Sequence, residues 1–405
     1  MRVLMLTERY HPIWGGAENQ LRQLIPHLVY HGCRVEVVTR RWKRKMPRCS
    51  FIDNIPVFRI GSPGNGKAST LLFVLSLIWF LIIKGREVDI IHSHGAVAMG
   101  VVGKVATIFR GNKNIAKIAT AGRIPSLKSK IFGRLLINIF RKSDGIICMT
   151  NEIYNELKSI KIPPKSIYHI PNAVNTKRFY GLSEKERSKF KPKIGFEPHD
   201  PVFLFSGRLI LRKGLRVLLE SWPMIIDFDP NARLIIIGSG KGQSNSIEYL
   251  LKRKIETEEI KNIYFIGETE FPENFLSITD IFLFPSMKEG FPNALLEAMA
   301  SGTSAIASEI GGVTDLISDG KTGILFPAGD NELLVEKIIY LLKYPMIKNR
   351  IGKEARKHVL VCYPFEKIAK RYFETYATII NKSKKYAEPY SAVNVTKKKS
   401  GLFSN

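Results

Sequence analysis

The segment Glu289-Gly-Phe-Pro-Asn-Ala-Leu-Leu-Glu297 places two carboxylates around a predicted helix start. A strand is expected to end at Pro285 and a helix to begin near Asn293, so Glu289 precedes the helix and Glu297 lies inside it. Backbone N–H groups at a helix N-terminus attract anions, whereas carboxylates accept hydrogen bonds from hydroxyls. The segment therefore suits a ligand with both phosphate and sugar hydroxyls, although acidic residues are also common at an ordinary solvated helix start.

A second segment, Ser206-Gly207-Arg208-Leu-Ile-Leu-Arg212-Lys213-Gly214, joins a predicted strand to a predicted helix. Arg208 and Lys213 would project from the carboxyl end of that strand, where a diphosphate could bind without a metal. The alternative is a solvated basic turn.

Two further segments lie near the start of the chain. Gly15 and Gly16 precede a predicted helix, where the backbone can approach an anion closely, although a plain loop-to-helix turn is equally compatible. In Asp89-Ile-Ile-His92-Ser-His94-Gly95, the two histidines point to the same side of a predicted strand. Two histidines on one side of a strand could bind a metal, but the sequence shows no third ligand, so we expect no metal here.

The elements that position these residues alternate between short β-branched runs and helical patterns, which predicts parallel sheets covered by helices. The pattern changes after Pro171-Asn172-Ala173, and the polar stretch 176–201 reads as a linker. We predict two Rossmann-like, doubly wound α/β domains in tandem. The predicted parts are a first domain over 1–175, a second over 176–362, an amphipathic helix over 363–381 and a disordered basic tail over 382–405.

The longest apolar stretch, Ala68–Ile83, predicts a helix. Its sixteen residues would span roughly 24 Å, less than the roughly 30 Å of a bilayer core. We therefore expect a buried or half-buried helix rather than a membrane span. The apolar run at the N-terminus is too short for a signal peptide and is predicted to be the first strand.

The net charge of +26 is distributed unevenly. Residues 1–175 contain 27 basic and 9 acidic residues, whereas residues 176–405 contain 35 and 27. The first domain is therefore strongly cationic, which bears on its partners rather than on its fold.

Several site classes are excluded by the sequence. The four cysteines have no metal-ligand or disulfide-framework spacing, which fits a reducing compartment. The run Gly61-Ser-Pro-Gly-Asn-Gly66-Lys67 lacks the hydroxyl residue that a phosphate loop needs next, and Gly238-Ser-Gly240-Lys-Gly242 does not complete a dinucleotide fingerprint. We expect no bound cofactor, and no metal.

Taken together, the motifs resemble those of the retaining glycosyltransferases of family 4, which have the GT-B fold. The resemblance rests on six segments in the family's order: GGAE (15–18), DIIHSHG (89–95), IPNAVN (170–175), SGRLILRKG (206–214), the two-glutamate segment (289–297) and SEIGGVTDLI (308–317). It implies that the two domains face each other across a cleft and that the final helix crosses back to the first domain. One departure is the loop after Ala119, Thr-Ala-Gly-Arg, where many relatives have a histidine, so the resemblance does not define the acceptor site.

By this resemblance Glu297 would bind the ribose of a nucleoside-diphosphate sugar and Glu289 the hydroxyls of the transferred sugar. Arg208 and Lys213 would hold the diphosphate, and His94 would lie beside the sugar, which makes Arg208, Lys213, Glu289 and His94 the implied catalytic residues. The implied donor-binding set is Gly16, Ser206, Gly207, Arg208, Lys213, Phe265, Ile266, Glu289, Gly290, Phe291, Pro292, Asn293, Leu295 and Glu297.

The resemblance also implies a mechanism. Such enzymes are thought to retain the anomeric configuration by front-side attack, with the departing diphosphate taking the acceptor's proton. Cations stabilise the leaving group in this scheme, and no metal is needed. The alternatives are a sugar-nucleotide epimerase on the same fold and a non-enzymatic protein that binds anionic surfaces.

The basic segment Arg40–Arg48 is predicted to dock on an anionic membrane surface at the cytoplasmic face, presenting a glycan or lipid-linked acceptor to the cleft. A solvated basic loop is the alternative, and nucleic acid is not expected because no aromatic stacking platform accompanies the cations. The residues assigned to this surface are Arg40, Arg41, Trp42, Lys43, Arg44, Lys45 and Arg48.

Overall fold

The chain folds into two β-sheets, each flanked by helices on both faces, in a computed structural model that describes residues 1–13, 15–64, 66–95, 97–107, 111–129, 131–243 and 245–384. The predicted tail lies outside these residues from residue 385 onward. The α/β class and the two parallel-sheet units predicted from the sequence are confirmed.

The first sheet has eight strands in the order β3-β4-β2-β1-β5-β6-β7-β8. All neighbours are parallel except β3 and β4, which form an antiparallel pair. The strands are β1 (Arg2–Thr7), β2 (Arg34–Arg40), β3 (Cys49–Ile52), β4 (Ile55–Ile60), β5 (Ile90–Gly95), β6 (Lys113–Ile118), β7 (Gly145–Cys148) and β8 (Ile167–His169).

Helices cover both faces of this sheet because its central strands are apolar on both sides. The connecting helices are α1 (Gly16–Tyr30), α2 (Lys67–Lys84), α3 (Val97–Thr107), α4 (Arg123–Lys128), α5 (Gly133–Phe140) and α6 (Asn151–Ser159). Helix α1 packs on the face that carries Met5 and Ile115, whereas α2 and α3 pack on the face that carries Leu4 and Leu6.

The second sheet has six parallel strands in the order β11-β10-β9-β12-β13-β14. They are β9 (Val202–Ser206), β10 (Arg233–Ile237), β11 (Ile263–Gly267), β12 (Ile281–Phe284), β13 (Ser304–Ser308) and β14 (Ile324–Phe326). The remaining helices are α7 (Glu184–Phe190), α8 (Leu215–Phe228), α9 (Glu248–Thr257), α10 (Pro272–Leu276), α11 (Asn293–Ala300), α12 (Gly311–Thr314), α13 (Asn331–Lys343), α14 (Pro345–Cys362) and α15 (Phe365–Lys384).

The last helix, α15, packs against α1 on the first sheet and not on the second, so the predicted return of the chain to the first unit is confirmed. Its buried stripe, including Phe365, Ile368, Tyr372 and Tyr376, joins the core of the first sheet. The domain boundaries placed at residues 175 and 362 stay predictions.

The sequence prediction did not include strand β3, helix α7 or helix α14. The hairpin of β3 and β4 turns at Asp53 and Asn54, both with positive φ. Helix α7 lies within the stretch interpreted as a linker and begins with a capping box between Ser183 and Glu186. Helix α14 packs against α11 and β13.

Helix α2 covers the predicted stretch Ala68–Ile83 and is less buried than expected, since one narrow stripe of it is enclosed. Its inner stripe, Phe73, Leu77 and Leu81, packs on the first sheet. Val74, Ile78 and Phe80 are partly buried beside this stripe, whereas five large apolar side chains, Leu71, Leu72, Leu75, Trp79 and Ile83, are exposed. In all, 17% of the helix is buried. Among the described residues it is the one helix whose length and composition would allow it to cross a membrane.

Candidate active site

A cavity of about 670 Å³ lies between the carboxyl ends of the two sheets and receives residues from both. We call its two sides the first wall, from residues before 176, and the second wall, from residues after 200. The predicted site residues that line the cavity are Gly16, His94, Ser206, Gly207, Arg208, Lys213, Glu289, Gly290, Phe291, Pro292, Asn293 and Glu297.

The second wall holds a buried ion pair. The Lys213 ammonium lies 2.6 Å from Glu289 Oε1, and both side chains are close to fully buried. Burial lowers the pKa of Lys213, while the neighbouring Glu289 carboxylate acts in the opposite direction. The turn that places Lys213 requires Gly214, because its φ is +71° and a Cβ there would overlap the Pro285 carbonyl oxygen.

Two arginines flank this pair. The Arg208 guanidinium donates to Gln243 Oε1 (3.1 Å), and burial lowers its pKa. Arg212 donates to the Lys288 carbonyl oxygen (2.8 Å) and lies 3.5 Å from Glu289 Oε2. Arg212 lines the cavity but was not selected from the sequence, although it lies within the quoted loop. Three cations from one loop therefore face the cavity.

Glu297 projects into the cavity from the first turns of α11. Burial raises the pKa of Glu297 to about 7, although the nearby Arg178 guanidinium acts in the opposite direction. Its environment thus differs from that of Glu289, which is paired with Lys213. Glu289 lies within 3.5 Å of both Lys213 and Arg212, whereas Glu297 forms no salt bridge with any described residue.

A row of hydrogen bonds connects the first wall to α11. Lys117 Nζ donates to Asn172 Oδ1 (2.9 Å), Asn172 Nδ2 donates to Asn293 Oδ1 (2.8 Å), and Asn293 Nδ2 donates to the Gly16 carbonyl oxygen (3.0 Å). Burial lowers the pKa of Lys117 to about 7. Lys117 and Asn172 line the cavity but were missed. A charge interrupting the apolar run of β6 was the signal available for Lys117.

The two histidines of β5 lie on the face that α15 covers. His92 is in register with Met5 and Ile115, and its Nδ1 lies 2.6 Å from the Tyr376 hydroxyl. Burial lowers the pKa of His92 to about 3 and that of His94 well below its ordinary value, so both rings are neutral. The His94 Nε2 atom is buried and has no hydrogen-bond partner within the part of the chain described here.

The walls touch where Gly290 meets the loop after β6. A Cβ on Gly290 would overlap the Ala119 carbonyl oxygen, so only glycine allows this approach. The same loop contains the sequence Thr-Ala-Gly-Arg, which differs from the histidine-containing loop of many relatives. The Lys288 ammonium lies over Gly122 of this loop. In the described parts of the chain, no group of three or more histidine, cysteine, aspartate or glutamate side chains is placed to hold a metal.

Three residues of the predicted donor set do not line the cavity. Leu295 lies on the inner face of α11 and is fully buried in the core. Phe265 and Ile266 lie on the edge strand β11, where the Lys252 ammonium lies 5.4 Å from the Phe265 ring centre. The expected contact of β11 with a base stays a prediction.

The basic segment Arg40–Arg48 is exposed only in part, so the assignment of Arg40 to a membrane-facing surface is wrong. The docking of the segment on a membrane stays a prediction. Arg40 is 3% exposed, donates to Thr70, Ser69 and the Gly64 carbonyl, and stacks on Trp42.

The next two residues of the segment are also engaged within the fold. Arg41 donates to the Met46 and Arg44 carbonyls, and Trp42 donates to the Glu8 carbonyl. The exposed cations that remain are Lys43, Arg44, Lys45 and Arg48.

Two family models match the chain. Residues 14–178 match Glycosyltransferase Family 4, and residues 186–358 match Glycosyl transferases group 1. The first match contains Gly16, His94 and Lys117, and the second runs from before Arg208 to beyond Glu297. The chain belongs to the group 1, family 4 glycosyltransferases.

This glycosyltransferase is 31% identical over 212 residues to the GDP-mannose-dependent monoacylated alpha-(1-6)-phosphatidylinositol monomannoside mannosyltransferase of Corynebacterium glutamicum. The alignment covers 50% of this chain and 54% of that protein, so the glycosyltransferase matches about half the length of that relative.

Two solved structures have a fold similar to that of this chain. Sucrose-phosphate synthase from Thermosynechococcus elongatus superposes with a TM-score of 0.79 at 20% identity, covering 94% of this chain and 100% of that one. The structure of Anabaena HepE in complex with UDP-glucose superposes with a TM-score of 0.74 at 18% identity, and the alignment covers 93% of this chain and 100% of HepE. The predicted GT-B fold is confirmed, and the glycosyltransferase activity follows from the family.

Proposed function

We propose that this glycosyltransferase transfers a sugar from a nucleoside-diphosphate sugar to an acceptor hydroxyl with retention of configuration and without a metal. The observation that carries the proposal is the meeting of Arg208, Lys213, Glu289 and Glu297 with His94 on one cavity. Its volume of about 670 Å³ lies within the range of ordinary ligand sites.

The charges of the second wall match such a donor. Arg208 and Lys213 would hold the diphosphate together with the backbone amides of Gly290 and Phe291. Glu297 would accept hydrogen bonds from the ribose. HepE has been solved with UDP-glucose, and the Corynebacterium relative is named for GDP-mannose, which supports a nucleoside-diphosphate sugar and leaves the choice of base open.

Glu289 would act at the transferred sugar. Its carboxylate lines the cavity and lies 2.6 Å from the Lys213 ammonium, so it can accept hydrogen bonds from sugar hydroxyls while holding the ammonium in place. The neutral His94 ring, with its unpartnered Nε2, would offer one more hydrogen bond on the first wall.

The reaction breaks the bond between the anomeric carbon and the diphosphate oxygen. The acceptor oxygen forms its bond on the same face of the sugar, and its proton passes to the departing diphosphate. Positive charge that is already oriented stabilises the negative charge that grows on the leaving group. Lys213 and Arg208 would supply this charge, which is the role that a metal has in other transferases.

The acceptor would be a glycan or a lipid-linked molecule reached at the cytoplasmic face of a membrane. Two observations support this part. The first 175 residues carry 27 basic and 9 acidic residues, and the Corynebacterium relative is named for a phosphatidylinositol mannoside acceptor.

Incubation with UDP-, GDP- and ADP-sugars and lipid-linked acceptors, with and without EDTA, tests the reaction. NMR of the product should show the donor's anomeric configuration, with the rate unchanged by EDTA. Inversion would refute the retaining mechanism, and loss of activity in EDTA would refute the metal-free one. Conversion of the nucleotide-sugar without an acceptor would support an epimerase instead.

A further inference from the structure

Helix α2 presents an apolar outer face that no described residue covers. Leu71, Leu72, Leu75, Trp79 and Ile83 are between 50% and 66% exposed. Exposed side chains of this size, arranged along one helix, form the kind of contiguous patch that marks an interaction surface.

A second group of exposed apolar residues lies at the start of α5. Ile131, Phe132 and Leu135 are 94%, 71% and 58% exposed. Helices α2 and α5 both pack against α3, on one face of the first sheet. The two groups therefore belong to the same side of the molecule, and we call them together the outer apolar surface.

Positive charge surrounds this surface. Residues 61–143 contain thirteen lysines and arginines but only two acidic residues, Glu87 and Asp89. Glu87 is paired with Lys84, and Asp89 accepts the backbone N–H of Arg2. Among the residues of this region whose burial is described, the exposed cations are Lys67, Lys128, Arg134, Arg141 and Lys142.

The packing of α2 restricts how a membrane could receive it. Phe73, Leu77 and Leu81 are fixed in the core against Leu4, Leu6 and Val38, so the helix cannot cross a bilayer while the sheet stays folded. A helix with one face held by protein and the other apolar and bordered by cations can lie in the plane of the interface. The tryptophan on the outer face suits the depth of the headgroups.

We propose that the outer apolar surface docks the protein on an anionic lipid bilayer, with α2 parallel to the membrane plane. Cations near an anionic leaflet strengthen such docking, which favours lipid over a protein partner for this combination of residues. This surface replaces Arg40–Arg48 as the main contact, since Arg40 is held inside the fold. The exposed Lys43, Arg44, Lys45 and Arg48 would contribute only to its charge.

The surface lies beside the cavity. Helix α2 follows β4 and α3 follows β5, so both begin at the edge of the sheet where the cavity lies, and Met99 of α3 lines the cavity. Docking through α2 would bring this edge close to the bilayer. In that sense the inference deepens the membrane part of the proposed function, on which it rests, but it does not depend on the donor chemistry.

Flotation with phosphatidylglycerol and phosphatidylcholine vesicles at low and high salt tests the proposal. The variant Leu72→Asp, Leu75→Asp, Trp79→Asp should bind phosphatidylglycerol vesicles at least about tenfold more weakly than the unchanged protein, because it loses three apolar side chains and adds negative charge. The matched control, Tyr249→Asp with Leu250→Asp, changes two side chains on α9 that are 72% and 61% exposed and should bind normally.

Trp79 fluorescence supplies a second measurement on the unchanged chain. A blue shift with phosphatidylglycerol vesicles, absent in Trp79→Phe, would support the docking pose. The proposal is overturned if the triple variant floats like the unchanged protein, or if phosphatidylcholine binds equally well at high salt. It is also overturned if the triple variant only converts a dimer to a monomer, since a second copy would then cover the surface. Nucleoside diphosphate binding should be unchanged in the triple variant, so a failure of docking is distinguishable from a failure of the donor site.

Discussion

The two walls of the cavity are built differently and are suited to different tasks. The second wall carries Arg208, Arg212 and Lys213 with Glu289, a set of charges that partly neutralise one another. On the first wall, burial keeps His94 neutral by lowering its pKa, and burial lowers the pKa of Lys117 to about 7. Glu8, Arg9 and Glu18 also line this wall. The contrast supports the proposal that the second wall binds a charged diphosphate and that the first wall receives the sugar and its acceptor.

The largest effect is expected at the cations of the second wall. Arg208→Ala or Lys213→Ala should lower kcat by roughly 100–1,000-fold, or about 2.7–4 kcal/mol, since each removes one oriented donor from the leaving group. Arg216→Ala, on the exposed face of α8 and paired only with Glu220, is the control and should retain full activity. Normal turnover in both site variants, with circular dichroism showing folded protein, would remove these cations from the mechanism.

The contact between the walls gives the next effect. Gly290→Ala adds a Cβ that overlaps the Ala119 carbonyl oxygen and should push the walls apart. Because a displacement of about 1 Å can cost roughly 100-fold in rate, we expect kcat/KM to fall by about 10- to 100-fold. Gly85→Ala is the control and should be neutral, because the nearest atom to an added Cβ there is Asn112 Oδ1 at 4.0 Å, an ordinary van der Waals contact. Equal kinetics for the two variants would show that the walls do not need this approach.

The buried carboxylate of α11 predicts a pH-dependent stability. Burial raises the folded-state pKa of Glu297 to about 7, above its ordinary value of 4.5. The neutral carboxyl is therefore accommodated in the folded protein below pH 4.5, and the stability that this provides is lost as the pH rises through 7 and the buried group becomes charged. Glu297→Gln should therefore raise the free energy of unfolding above pH 7 by on the order of 1–3 kcal/mol, and leave it unchanged near pH 4.5. Urea denaturation at both pH values measures this, and a uniform change at both would contradict the assigned cause.

The smallest effect concerns the coupling of the walls through Asn172 and Asn293. A double-mutant cycle of Asn172→Ala and Asn293→Ala should give a coupling of about 1 kcal/mol in the free energy of unfolding, the value of one buried hydrogen bond. The distant pair of Asn172→Ala and Arg216→Ala should be additive. A coupling near zero for the first pair would mean that the row of hydrogen bonds does not connect the walls.

The difference between the two walls also explains which site residues could be predicted from the sequence. The residues of the second wall come from two continuous segments, 206–213 and 284–297. Each segment follows a short apolar strand, β9 or β12, that is visible in the sequence as an apolar run. Local patterns were therefore sufficient to select Arg208, Lys213 and both glutamates for one cavity.

The first wall is assembled from distant loops by strand pairing. Lys117 meets Asn172 only because β5, β6, β7 and β8 lie side by side, and no short motif contains this order. Arg40 looked like part of a free basic run, yet its partners come from the loop and helix that follow β4. Helix α2 is apolar on nearly every side, so its sequence did not show which face the sheet would cover.

Two missed elements did have local signals. Asp53-Asn54 is a pair that tolerates positive φ and is typical of a tight hairpin, and Ser183 with Glu186 forms a capping box.

Titration calorimetry with a nucleoside diphosphate and its nucleotide-sugar tests the central claim most directly. Glu297→Ala should weaken both ligands by about tenfold, because the ribose loses its acceptor. Glu289→Ala should bind the free nucleoside diphosphate at least as tightly as the unchanged protein, since it releases Lys213 from its ion pair, but should bind the nucleotide-sugar more weakly. The reverse pattern, or unchanged binding in both variants, would contradict the assignment of the two carboxylates and with it the donor site.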